Sequence, residues 1–151
     1  MSTCSPSQWA QNTSSTTAKT TQTRPTRGNF GLAKVGRYVM ISAMGADAEA
    51  PDDAGEPVFV AYLRAKGAAD DNVRARKALE STIVRPGLLT NDPGTGRVRI
   101  ADDTGRGSIP REDVAAVLLA VLDEPGTGGQ TFEVISGDTP ITDYFTTSAH
   151  E

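Results

Sequence analysis

The stretch from Arg37 to Gly87 constrains the fold more than any other part of the chain. It opens with the apolar run Tyr38-Val39-Met40-Ile41, closed by Ser42. It continues through Tyr62-Leu63-Arg64-Ala65-Lys66 and returns to a second run, Thr82-Ile83-Val84-Arg85, stopped by Pro86-Gly87. This predicts a strand over 37–42, a helix, and a strand over 81–85. The second run carries no charge before Arg85, as expected of a strand buried on both faces of a parallel sheet. Two parallel strands joined by a helix form one crossover unit, and an open α/β sheet places its ligand crevice where such strands end. Tyr62 and Lys66 fall on the same face of the helix between them. An ammonium beside a phenol favours the phenolate, and this is how a tyrosine exchanges protons near neutral pH.

In this order, RYVMISAMGA (37–46), AYLRAKGAAD (61–70), STIVRPGLLT (81–90) and SIPREDVAAVLLAVLDEP (108–125) resemble the short-chain dehydrogenase/reductase superfamily. The closer likeness is to its atypical NAD(P)H-binding branch of flavin- and biliverdin-reductase-like proteins, and it covers residues 35–140. The resemblance implies a Rossmann-like α/β fold and NADP or NAD as cofactor. It also implies reduction of a small carbonyl, flavin or quinone-type substrate. Carried onto this chain, it makes Tyr62 the proton donor and Lys66 its partner and the ligand of the nicotinamide ribose. Ser42 orients the substrate carbonyl, and Pro86 and Gly87 border the nicotinamide pocket. By their own chemistry, Tyr62 reads equally as a packed helix tyrosine and Lys66 as a surface lysine with a buried stem. Pro86-Gly87 alone reads as a strand-ending turn.

The chain departs from that family at one point. A glycine-rich turn between a strand and a helix seats the pyrophosphate on a helix N-terminus, and no strand-like run here precedes one. The expected architecture is therefore the second half of a doubly wound parallel sheet, residues 35–140. A leader over 1–34, disordered or foreign to the fold, precedes it, and a loose tail over 141–151 follows. A sensing or remnant protein without enzymatic activity, lacking the pyrophosphate site, is the alternative function. A ferredoxin-like α+β sandwich is the alternative fold for the order β-α-β-β-α-β. Half a sheet leaves the strands at 37–42 and 81–85 incompletely covered, so poor solubility or self-association is expected.

Composition narrows the classes. The net charge of −4 combines +5 over residues 1–37, which hold no acid, with −9 over the remainder. An acidic folded part argues against nucleic acid as a partner. Residues 1–29 of the leader are rich in Ser, Thr, Gln and Asn, with Trp9 their large apolar residue. The leader reads as an inert tail, a product of a displaced start or reading frame, or a targeting segment. The single cysteine, Cys4, and single histidine, His150, lie near opposite ends. No intrachain disulfide follows, no zinc site is expected, and a reducing cytoplasm is compatible. No apolar run reaches the roughly 18 residues of a membrane span.

Elsewhere, the acidic loop over 43–57 reads as solvated rather than metal-binding, because it lacks the turn and terminal glutamate of a calcium loop. Pro57 starts the helix, which is predicted to run to Lys77 with Phe59, Leu63 and Val73 on one side. Gly67 is a modest weak point, and DDNVRARKALE (70–80) an exposed mixed-charge surface. Gly94-Thr95-Gly96 and Gly105-Arg106-Gly107 read as turns, and Arg97–Ile100 as an alternating strand. Val114, Val117, Leu118 and Val121 form the core stripe of a second helix that Pro110 opens. A last strand is predicted over 131–135.

Overall fold

The structure, a computed structural model, describes residues 35–145. Expectations about 1–34 and 146–151 lie outside the described residues. Those described belong to one compact unit, Lys34–Glu151. Strand β1 (Arg37–Ile41) leads through a long loop to helix α1 (Pro57–Arg74), then to β2 (Glu80–Pro86) and the short β3 (Leu88–Thr90). Strands β4 (Arg97–Ala101) and β5 (Ser108–Pro110) precede helix α2 (Arg111–Asp123). A 3-10 turn over Pro125–Thr127 and strands β6 (Thr131–Ser136) and β7 (Thr139–Pro140) follow, ending in helix α3 (Ile141–Phe145).

The main sheet has the order β1-β2-β6-β4-β7, and β3 pairs with β5 in a small second sheet. β1 runs parallel to β2, from Arg37 opposite Glu80 to Ile41 opposite Val84. β2 runs parallel to β6, while β4 is antiparallel to both β6 and β7. The predicted crossover is therefore present, and the fold is Rossmann-like α/β. The ferredoxin-like alternative fails on pairing. Its middle strands form a hairpin, whereas β6 separates β2 from β4.

Alternation along the strands divides the residues between two faces. Val39, Val84, Phe132, Val134 and Val98 pack with Val114, Val117 and Val121 of α2 in the main core. Arg37 faces the same way and donates to the Val121 carbonyl at 2.8 Å, at the negative end of α2. The register puts Ser42 and Arg85 on the opposite face, which α1 covers. Ser81, Thr82, Ile83 and Val84 are all buried, as the uncharged run requires.

Several boundaries differ from expectation. Helix α1 ends at Arg74 rather than Lys77. Its buried residues are Val60, Leu63, Gly67 and Asp70, while Phe59 remains 49% exposed. The inward face is chosen by how closely the 43–50 loop approaches, and a small residue serves that better than phenylalanine. Pro110 closes β5 and caps α2 from outside instead of occupying its first turn. The expected tail begins with a short helix, because Ile141 enters the core and its N–H donates to Gly96 O at 3.1 Å. Tyr144 Oη accepts the N–H of Ile100. These contacts span more than forty residues, so local pattern did not disclose them. No helix among the described residues is long and apolar enough to cross a membrane.

Candidate active site

The C-terminal ends of β1, β2 and β6 meet on one side of the sheet. Ser42 extends β1 by one more rung, its N–H donating to Val84 O at 2.8 Å. Met44 N donates to Pro86 O at 3.1 Å, and Gly87 N to Val134 O at 3.0 Å. Five residues proposed from sequence are placed around these ends.

Lys66 reaches from α1 to the strand end, where Nζ donates to Ile41 O at 3.3 Å. The same ammonium lies 5.9 Å from the centroid of the Tyr62 ring, within cation–π range. That ring is 44% exposed and stacks on Phe59 with centroids 6.2 Å apart. Ser42 is buried, and its Oγ has no hydrogen-bond partner. A buried hydroxyl without a partner costs free energy, so one placed just past a strand end is a reason to look for a ligand. Lys66 therefore comes to the residue preceding Ser42, and Tyr62 lies alongside Lys66.

Pro86 and Gly87 sit at the end of β2 in a tightly packed turn. A β-carbon on Gly87 would stand 2.3 Å from Gly107 O and 3.0 Å from Ile135 Cγ2. Leu88 N donates to Gly107 O at 2.9 Å, joining this turn to the segment before β5. Glycine is thus required at position 87 by packing, whatever else it borders.

One group in this region was not legible as such in the sequence. Asp70, expected on an exposed surface, is completely buried. Its Oδ2 accepts from Arg85 Nε at 2.9 Å and Nη2 at 2.7 Å. Arg85 Nη2 also donates to Ala46 O at 3.1 Å, tying the loop after β1 into the pair. The available signal was Arg85 itself, a charge ending a run with both faces buried, which demands a partner. Asp70 lies three residues beyond Gly67 on the buried stripe of α1.

The two longer helices do not offer a phosphate cradle. The first turn of α1 contains Pro57, which has no N–H, behind Glu56. The first turn of α2 holds Glu112 and Asp113, whose carboxylates already bind the Gly94–Gly96 turn. A pyrophosphate there would meet two negative charges. Lys66 Nζ and the unpartnered Ser42 Oγ are donors of the kind a ribose or carbonyl oxygen accepts from, and among the described residues no strand leads through a glycine-rich turn into a helix to receive a pyrophosphate.

A family model described as NAD(P)H-binding matches residues 11–125. The uncharacterized sugar epimerase YhfK of Bacillus subtilis (strain 168) is 41% identical over 111 residues, which cover 73% of this chain and 50% of that protein. A solved structure from Bacillus halodurans, named as an NAD-dependent epimerase/dehydratase, is 38% identical with a TM-score of 0.68. The match covers 78% of this chain and 54% of that one. ChuY, an anaerobillin reductase from Escherichia coli O157:H7, shares the fold at 23% identity and a TM-score of 0.62, over 72% of this chain and 53% of its own. The chain spans about half the length of each of these three relatives.

Proposed function

Because this chain belongs to the NAD(P)H-binding family, we propose that it takes part in NAD(P)H-dependent reduction of a small carbonyl, flavin or quinone-type substrate. The observation that carries this reading is the Lys66 ammonium bonded to Ile41 O, one residue from the buried, unpartnered hydroxyl of Ser42. When bound, the nicotinamide supplies the hydride. Tyr62 gives its phenolic proton to the substrate oxygen, and the charge of Lys66 stabilises negative charge developing on the phenol. Lys66 Nζ has donors to spare beyond Ile41 O, and these serve the nicotinamide ribose. Ser42 Oγ donates to the substrate carbonyl and fixes its orientation. Pro86 and Gly87 close the pocket at the end of β2.

One observation favours a second reading, in which the protein senses NAD(P) or is a remnant without useful affinity. The starts of α1 and α2 lack a phosphate site, as described above. Titration of the chain with NADH and NADPH, followed by fluorescence, separates the two. Saturable binding weakened by Lys66→Ala, with loss of NAD(P)H absorbance on adding a quinone or flavin, supports the reductase. Absence of binding at millimolar cofactor leaves only the remnant or a role without a nucleotide. Binding without net consumption of NAD(P)H would point away from reduction and toward sensing.

A further inference from the structure

The loop after β1 carries Ser42 and is held from below by charge. Arg85 Nη2 donates to Ala46 O at 3.1 Å, and Arg85 Nε and Nη2 both bond Asp70 Oδ2. Arg85 is mostly buried, and Asp70 is completely buried with its Oδ1 lacking a partner. Three other contacts converge on this loop. Met44 N bonds Pro86 O, Asp47 N bonds Leu63 O, and Gly67 lies directly under Asp47 and Ala48.

A buried ion pair is an inefficient way to stabilise a fold. Desolvation offsets much of its attraction, and an apolar pair of similar volume often does as well or better. An unsatisfied Asp70 Oδ1 makes the pair costlier still. What no apolar pair can do is grip the carbonyl of Ala46. Nor can it fix the direction of that grip, which a guanidinium held along its edge by a carboxylate does.

We infer that Asp70 and Arg85 are positioning residues for the turn at 42–48, holding Ser42 at the end of β1 in the orientation its ligand requires. The consequence for ligand binding rests on the role of Ser42 proposed above, whereas the consequence for the loop does not. The pair touches no reacting atom. It acts through the loop backbone, and its chemistry is that of a planar cation locked on one side and donating on the other.

The test compares the native chain with the double variant Asp70→Leu/Arg85→Met and with Arg85→Lys, by amide hydrogen exchange and NADPH titration. The double variant removes the pair without leaving a lone buried charge. Its denaturation midpoint is expected at or above that of the native chain. The amides of Met44 and Asp47 are expected to exchange about tenfold faster, with the β6 amides unchanged, because local opening is separable from global unfolding. Arg85→Lys keeps the charge and loses the fork, so it should loosen the same amides. It supplies the answer should the double variant fail to fold. Unchanged exchange at Met44 and Asp47, or changes that follow global stability at every amide, would overturn the inference. Turnover of a carbonyl substrate with NADPH should fall several-fold in both variants, as in Ser42→Ala, with NADPH affinity retained. A native chain that binds no NADPH would sink the reductase reading alone, since the amide comparison still decides the role of the pair.

Discussion

Gly67 of α1 lies directly beneath the backbone of Ala48: a β-carbon at position 67 would stand 2.1 Å from the Ala48 nitrogen. Propensity and packing therefore make opposite forecasts. Gly67→Ala should gain about 1 kcal/mol from helix propensity. The added methyl must push the 47–48 backbone away, and overpacking of this kind costs about 1–3 kcal/mol. Net destabilisation of about 1 kcal/mol or more is expected by urea unfolding. A variant more stable than the parent would show that the loop yields freely and does not rest on the helix.

Ser42 separates stability from function. Its hydroxyl is buried without a partner, so Ser42→Ala removes an unsatisfied group and should leave stability within about 1 kcal/mol of the parent or raise it. Turnover of a carbonyl substrate should fall, with NADPH affinity retained. Thermal melting and steady-state kinetics read the two effects. A large loss of stability would mean that the hydroxyl has a structural partner and no vacancy for substrate.

Asp113 organises a turn that looked self-sufficient in sequence. Its carboxylate accepts the N–H groups of Thr95 and Gly96 and the hydroxyl of Thr95, and the side chain is buried. Asp113→Ala leaves those donors without their acceptor, and a cost of about 2–3 kcal/mol is expected for charge-assisted bonds of this kind. Glu112→Ala loses one exposed bond to Gly94 N and should cost less. Equal midpoints for the two variants in a denaturant series would contradict this ranking.

Much of the fold was open to a reader of the sequence alone. The runs Tyr38–Ile41 and Thr82–Val84, the proline opening α1 and the valine stripe of α2 specify strand, helix, strand and helix through local chemistry. That Lys66 lies one turn from Tyr62 follows from helical periodicity. What only the tertiary structure decided are the choices that depend on distant neighbours. It decided that β6 enters between β2 and β4, and that Gly67 rather than Phe59 faces inward. It decided that Asp70 turns inward to meet Arg85, and that Ile141 begins a helix. Each turns on a contact between residues far apart in the chain. There the free energy of excluding water or of pairing a buried charge outweighs the propensities of the segment, and periodicity carries no record of which distant group supplies it.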